Sequence, residues 1–393
     1  MTKLPMNVLM LVATSVATDT RVLREARTLV EAGNSVHIVG RSVPEGFDAG
    51  EGITVSSVGT SSVFRAVGQA SLSGRKLTAP VRLARWVLLP QHRRSSFGRW
   101  ANGAHEVVKG REFDVVHAHD FTALAVGESL AREHGVPLVY DSHELWSGLP
   151  REHRPTPLAD RGERRLEAQL GGRAAAVLTV CDGVADALRR QYGWRNITVV
   201  RNSFPFQPEL PAPLEAPTGL VYAGRVASFR ELETISAASN DVELPITVVG
   251  PADATFLASF ERGRVDVRPA LPLVGASELI QAAGLSLVTH SNRWENHRLA
   301  MPNKLFHAVS LGVPVVATDV GELAMMVRRH NLGTLYAPGD ATSLIRAVGE
   351  AVAGYEKFRI AVEVARKDLS WSSDAARLLE VYAKLTPGRS DRP

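Results

Sequence analysis

The sequence predicts an α/β protein built from two doubly wound parallel-sheet domains. Three observations carry this. Short apolar β-branched runs alternate with amphipathic helical patterns along nearly all 393 residues, which is the signature of parallel sheets. A chain of that length exceeds one ordinary core and calls for roughly two domains. A proline-dense stretch, SFPFQPELPAPLEAPTG at 203–219, interrupts the alternation once near the middle, and proline there removes amide donors and fixes extended backbone.

The elements follow in order. Asn7–Ala13 reads as a strand, Thr20–Ala32 as an amphipathic helix closed by Gly33, and Ser35–Gly40 as the next strand. After a less regular region come strand Asp114–His117, helix Thr122–His134 stopped by Gly135, and strand Pro137–Asp141. Helix Leu158–Leu170, strand Ala175–Val180, helix Gly183–Tyr192 and strand Ile197–Arg201 complete the first half. Beyond the proline stretch, strands are expected at Leu220–Tyr222, Ile246–Val249, Val265–Val267, Leu285–Thr289, Val315–Ala317 and Thr334–Tyr336. The remainder is helical at Ala341–Ala353, Lys357–Lys367 and Asp374–Leu385. The expected division is residues 1–203, a linker over 204–217, and 218–371, with a terminal helix at 372–388 returning to the first domain. In doubly wound sheets ligands bind beyond the carboxyl ends of the strands, so two such lobes are expected to face a cleft.

Composition narrows the function. The chain is 45% hydrophobic and 22% charged, with a formal net charge of +4 and a pI of about 9.3. That mild excess favours anionic ligands without requiring nucleic acid. A single cysteine, Cys181, excludes an intramolecular disulfide and a cysteine-based zinc site and fits a reducing compartment. The first apolar run is short and followed by Asp19, Arg21 and Arg24, a first strand rather than a leader. No run approaches the ~20 apolar residues of a membrane span, so the expected location is the cytoplasm. Between Gly52 and Arg111 the only acid is Glu106, while Arg65, Arg75, Lys76, Arg82, Arg85, Arg93, Arg94 and Arg99 interleave with apolar residues. This basic 65–100 region suits either a solvated helix packed on its lobe or peripheral contact with an anionic membrane.

The richest stretch is MPNKLFHAVSLGVPVVATDVGE, residues 301–322. Pro302 and Asn303 open a helix, Leu305, Phe306 and Val309 form its apolar face, and Gly312 ends it before a buried strand. The helix N-terminus, with Asn303 and Lys304 at its mouth, suits a phosphate. Arg225 follows strand Leu220–Tyr222 through Gly224, and Arg230 comes five residues later, a spacing that lets both side chains turn to one point. A unit charge pair at ~4 Å contributes roughly 4 kcal/mol at an effective dielectric of 20, against about 0.3–2 kcal/mol for a helix terminus, so the arginines should dominate. The first strand-to-helix loop has no G-x-G-x-x-G, which counts against a dinucleotide oxidoreductase.

These segments resemble a family. DTRVLREARTLVEAGNSV (19–36), VVHAHD (115–120) and VYDSHELW (139–146) resemble the N-terminal lobe of retaining family-4 glycosyltransferases of the GT-B fold (glycosyl transferases group 1). YAGRVASFRELETI (222–235), VVGP (248–251) and the 301–322 stretch resemble their donor-binding lobe, and SWSSDAARLLEVYAKL (370–385) resembles the helix that crosses back. The resemblance covers nearly the whole chain and is weakest over 58–109. It implies a metal-independent hexosyltransferase with no cofactor, using a UDP- or GDP-type sugar donor and an unknown hydroxyl acceptor. It implies catalytic roles for His119, Arg225 and Arg230, and donor contacts from Gly224, Asn303, Lys304, Leu305, His307 and Glu295. Asp19, Arg21, His143 and Glu144 stand on the acceptor side. Two positions depart from the family. Its usual Glu-x7-Glu pair is replaced by Leu299 and His307; His307 can still bond a hydroxyl or can be an ordinary helix histidine, and Glu295 is a substitute acid from the loop. His117 reads as structural, Asp19 equally as a helix cap, and His143 with Glu144 equally as a cap. The missing acids keep open a pseudo-glycosyltransferase, a sugar-nucleotide epimerase, or a catalytically silent nucleotide-sugar binder.

Overall fold

In a computed structural model, residues 5–59, 98–149 and 157–385 are described. In chain order the elements are β1 (Asn7–Val12), α1 (Thr20–Glu31), β2 (Ser35–Arg41), β3 (Ile53–Val58), α2 (98–108), β4 (Val115–His119), α3 (Asp120–His134), β5 (Leu138–Ser142), α4 (Pro157–Gly171), β6 (Ala176–Thr179), α5 (Asp182–Tyr192) and β7 (Ile197–Val199). The second series is β8 (Gly219–Ala223), α6 (Leu232–Ala238), β9 (Ile246–Val249), α7 (Ala254–Ser259), β10 (Asp266–Arg268), α8 (Leu273–Ala283), β11 (Gly284–Val288), α9 (Glu295–Leu299), α10 (Asn303–Ser310), β12 (Val315–Thr318), α11 (Gly321–His330), β13 (Gly333–Tyr336), α12 (Ala341–Ala353), α13 (Tyr355–Asp368) and α14 (Trp371–Lys384).

Two parallel sheets result, ordered β3-β2-β1-β4-β5-β6-β7 and β10-β9-β8-β11-β12-β13. Both sheets are doubly wound: each chain half starts mid-sheet, winds outward, then returns to wind the other way. The reversal leaves a crevice between β1 and β4 in one sheet and between β8 and β11 in the other, beyond the strands' carboxyl ends. Strands buried on both faces explain the continuous apolar runs: Leu9, Met10, Leu11, Val116, Leu220, Val221, Leu287 and Val316 are all buried. In the second sheet Tyr222, Leu285, Val316 and Tyr336 form one core with Leu232 and Ile235 of α6 and Leu344 and Val348 of α12.

The chain divides into two compact units, Met1–Thr179 with Ala187–Thr198 and Arg377–Pro393, and Val180–Asp186 with Val199–Ala376. The proline-dense stretch falls wholly in the second unit. It is anchored there: Phe204 bridges Ser370, its carbonyl accepts from the Trp371 amide at 2.8 Å, and Leu214 packs on the core. The second unit's long run of chain starts at Val199, the last residue of β7. The expected basic region falls mostly outside the described residues. Among those described, no helix is long and apolar enough to cross a membrane.

Candidate functional site

Each unit places a cluster of polar side chains at the crevice its own sheet topology leaves. In the second unit the loop after β8 carries Gly224, Arg225 and Arg230, the loop after β11 carries His290 and Arg293, and α10 brings Asn303 and Lys304. Close approach is built in. A Cβ on Gly224 would lie 3.1 Å from Lys304 Cε and 3.2 Å from its Nζ, and a Cβ on Gly250 would run into the Gly224 backbone. The Lys304 ammonium sits 5.1 Å from the centre of the Tyr222 ring, a cation–π contact.

The electrostatics of this cluster are one-sided. The pKa of Lys304 is lowered to about 8, by burial first and by the positive charge of Arg230 second. Beside them the pKa of His290 falls to about 3, through burial and then Lys304, His297 and Arg230, so its ring is neutral. Its Nδ1 is enclosed without a hydrogen-bond partner. Among the described residues no carboxylate pairs with Arg230 or Lys304. Glu231, next in sequence, turns away: its Oε2 accepts from the Gly339 amide at 2.7 Å and from Thr234 Oγ1 at 3.0 Å. Two packed cations without an anion raise each other's energy, and a bound anion relieves this. The first turn of α10 points its amides the same way, with no side chain capping it.

The other expected donor residues fall out differently. Arg225 is exposed, and its carbonyl, not its guanidinium, is fixed, accepting from Tyr222 Oη at 3.0 Å. Asn303 is exposed and Leu305 fully buried, so Leu305 offers backbone only. Glu295 is an exposed first residue of the short α9. Leu299 is engaged through its carbonyl, which accepts from Cys181 Sγ at 2.9 Å. His307 bears on the sequence expectation. Its ring stacks on Phe204 at 4.8 Å, and its Nε2 lies 2.9 Å from Ser277 Oγ, which itself donates to the Leu273 carbonyl. Ser277 must then accept from His307, which fixes the Nε2–H tautomer and commits that nitrogen to the fold. Burial lowers the His307 pKa to about 4. Of the two readings the sequence left open, the helix packing histidine is the one this geometry favours.

In the first unit the crevice between β1 and β4 holds a buried ion network. Asp141, at the end of β5, accepts from Arg21 Nε and Nη2, each at 2.9 Å. His143 Nε2 reaches the same carboxylate at 3.1 Å and His119 Nδ1 at 3.3 Å. The other side of the His143 ring faces Asp120, at 3.3 Å. Held between two carboxylates, His143 has its pKa raised to about 10 despite burial and stays an imidazolium. Burial instead keeps His119 and His117 neutral. With its Nδ1–H directed at Asp141, His119 has a lone pair on Nε2, which is enclosed and without a partner. The two β4 histidines share one face of the strand, stacked at 4.2 Å, as period-two alternation requires. His117 Nδ1 lies 2.9 Å from Tyr382 Oη of α14, so the terminal helix is tied to β4 within this unit. Glu25 lies 3.0 Å from Arg21 Nε, whose proton is already aimed at Asp141; burial raises the Glu25 pKa to about 8.

This arrangement bears on three expectations. Arg21 is only 2% exposed and is engaged by Asp141, with Glu25 beside it. Asp19 caps α1, its Oδ1 accepting from the Val22 amide at 3.2 Å. His119 is fully enclosed rather than open to solvent, and a hydroxyl reaches it only after neighbouring side chains move. His143 keeps 18% exposure and Glu144 is half-buried, its carbonyl accepting from Ser142 Oγ. Sequence reasoning missed Asp141, Asp120 and Glu25. A carboxylate ending an otherwise apolar strand, as in VYDS, was the available signal. Glu25, His117, His119 and Asp141 bring potential metal-ligand atoms within 4.8 Å of one another. The donor set does not suit a dication, because the Arg21 guanidinium already occupies both Asp141 oxygens.

Comparison with known proteins gives a consistent pattern. Residues 18–205 match the model of Glycosyltransferase Family 4, and residues 220–353 that of Glycosyl transferases group 1. D-inositol 3-phosphate glycosyltransferase 1 of Catenulispora acidiphila is 27% identical over 321 residues, covering 72% of this chain and 75% of that protein. Glycogen synthase of Mycobacterium tuberculosis is 23% identical over 285 residues, covering 68% of each. Among solved structures, sucrose-phosphate synthase from Thermosynechococcus elongatus superposes with TM-score 0.69 at 16% identity, over 96% of this chain and 98% of that one. Anabaena HepE in complex with UDP gives 0.66 at 16% identity, over 97% and 100%. At such identities these structures establish the fold alone.

Proposed function

Because the chain belongs to the group 1 glycosyltransferases, with a family-4-type N-terminal half and the GT-B fold, we propose that it is a retaining, metal-independent enzyme that moves a sugar from a nucleoside-diphosphate sugar, UDP-type, to an acceptor hydroxyl. The observation that carries this is the uncompensated positive cluster of Arg230 and Lys304 at the β8/β11 crevice, beside the α10 amides. A structural neighbour with UDP-glucose bound supports the choice of nucleotide.

In this reading the diphosphate lies against Arg230, Lys304 and the Asn303 end of α10, with Arg225 closing from the exposed side. Fixed cations stabilise the charge that grows on the leaving phosphate, which serves in place of a metal. The bond between the anomeric carbon and the phosphate oxygen breaks, the acceptor oxygen bonds to that carbon on the same face, and the acceptor proton passes to the departing phosphate. His119 enters as a hydrogen-bond acceptor: Asp141 takes its Nδ1–H side, leaving Nε2 to receive a substrate hydroxyl.

The test is slow hydrolysis of a panel of UDP-, GDP- and dTDP-sugars, with UDP binding measured in parallel. The wild-type protein should release free sugar from a UDP-sugar. Arg230→Ala should bind UDP about 30-fold more weakly, the equivalent of ~2 kcal/mol for a truncated charge contact. Binding without turnover across all donors and acceptors would leave a silent nucleotide-sugar binder instead.

A further inference from the structure

Arg230 stands between two non-glycine residues in the left-handed region, Phe229 at φ 62° and Glu231 at φ 59°. Such backbone persists only where surrounding contacts over-determine it. Glu231 is held by Gly339 and Thr234, and the Arg230 carbonyl accepts from Thr289 Oγ1 at 2.8 Å. Phe229 is held differently. Its ring meets the Trp294 ring edge-on at 4.8 Å, and the Arg293 guanidinium carbon lies 4.6 Å from the centre of Phe229 and 5.2 Å from that of Trp294. The β11–α9 loop thus clamps the β8–α6 loop across the crevice. Arg293 is exposed and, among the described residues, pairs with no carboxylate; what it engages is the pair of aromatic faces.

We infer that Arg293, through its stack on Phe229 and Trp294, is a positioning residue that holds the strained Phe229–Glu231 backbone and so aims the Arg230 guanidinium at the donor diphosphate. The inference rests on the donor reading given above for Arg230. The clamp acts before ligand arrives: it spares the bound state the cost of ordering a loop whose unclamped backbone leaves the left-handed region. A guanidinium is suited to this because one delocalised cation can lie within cation–π range of both rings from an exposed position.

The test uses the full-length protein, UDP titrations and a double-mutant cycle. Arg293→Gln should weaken UDP binding about tenfold, the scale of a cation–π contact transmitted to the site. In the Arg230→Ala background the same change should have no further effect, because the clamp acts only through Arg230. Phe229→Leu should reproduce the loss and Phe229→Tyr should restore binding. Losses that multiply in the double variant would mean that Arg293 touches the ligand itself, and unchanged binding in Arg293→Gln would remove its role; either result overturns the inference. A second readout needs no ligand. Trypsin cleavage between Arg230 and Glu231 should accelerate at least severalfold in Arg293→Gln and Phe229→Leu, and an unchanged cleavage rate overturns the clamp. If the wild-type protein fails to bind UDP, or Arg230→Ala binds it normally, the donor reading fails, and the cleavage rates still decide whether Arg293 orders the loop.

Discussion

The two crevices arise from the same topology and are filled with opposite electrostatics. Between β1 and β4 every charge has a counter-charge: Arg21 and His143 meet Asp141, and Asp120 meets the far side of His143. Between β8 and β11 Lys304 and Arg230 stand beside each other, and the nearest histidine is driven neutral. A closed network repays the desolvation of its charges internally and has little left for a ligand. An uncompensated pair is a cost the fold carries until an anion binds. One crevice fixes its side chains and leaves the His119 Nε2 lone pair open; the other leaves positive charge open.

The largest expected effect breaks this contrast from the closed side. Asp141→Ala leaves the Arg21 guanidinium and the His143 imidazolium buried without their shared carboxylate, and should destabilise the first unit by about 3–5 kcal/mol. The denaturant midpoint of the full-length protein should fall accordingly. Arg230→Ala is the matching change in the open crevice. It removes a repulsion with Lys304, so the midpoint should hold or rise slightly while UDP affinity falls. If both variants lose stability equally, the two crevices are not different in kind.

The difference also explains what the sequence disclosed. The alternation of strands and helices, the strands leading to His119 and Gly224, and the helix opening at Asn303 were legible because each rests on local periodicity and local stops such as Gly135 and Gly312. Arg230 and Lys304 were legible because a cation in the loop after a strand and one in the first turn of a helix have no local partner to explain them. Asp141 was not, since its role depends on pairing with Arg21 across 120 residues; Asp120 and Glu25 act only through that pair and the His143 beside it. His307 stayed open in the sequence because Ser277 and Phe204, 30 and 103 residues away, decide what its ring does. The prolines of 203–219 lie within the second unit, since extended proline-rich chain can pack along a unit as readily as bridge two.

Titration sharpens the comparison, since the two crevices should respond to alkali with opposite signs. His143 has a folded pKa of about 10 against an ordinary value near 6.5. The stability it contributes is complete below about pH 6.5 and is lost as pH rises through about 10. Lys304 is the reverse, with a folded pKa of about 8 against 10.5. Across that window the unfolded chain binds the extra proton, so this group's contribution to stability increases with pH. UDP binding should show the consequence. The diphosphate draws the proton back onto Lys304, so affinity should weaken above pH 8 by up to about tenfold per unit. Isothermal titration from pH 7 to 9.5 measures it, and Lys304→Gln should flatten the profile. A profile that stays steep in that variant would assign the titration to another group.

The smallest effect is expected at Gly224, where the open crevice is tightest. Its backbone needs no left-handed φ, so glycine is there for space alone. A Cβ would come to 3.1 Å from Lys304 Cε, 3.2 Å from Nζ and 3.2 Å from Tyr222 Oη. Two of these three neighbours are the tip of a flexible side chain, which can yield by a few tenths of an ångström. Gly224→Ala should therefore cost the fold under about 1 kcal/mol, and part of that is returned by the reduced freedom of the unfolded chain. The displaced ammonium, however, is the one aimed at the diphosphate, so UDP affinity should drop a few-fold while the melting temperature moves little. The same substitution at Gly250 provides the contrast. There the Cβ would meet the Gly224 backbone rather than a side-chain tip, and with φ at 154° stability should fall first. Equal melting shifts for the two variants would show that Lys304 is held as rigidly as the backbone, and the contrast between the two glycines would not stand.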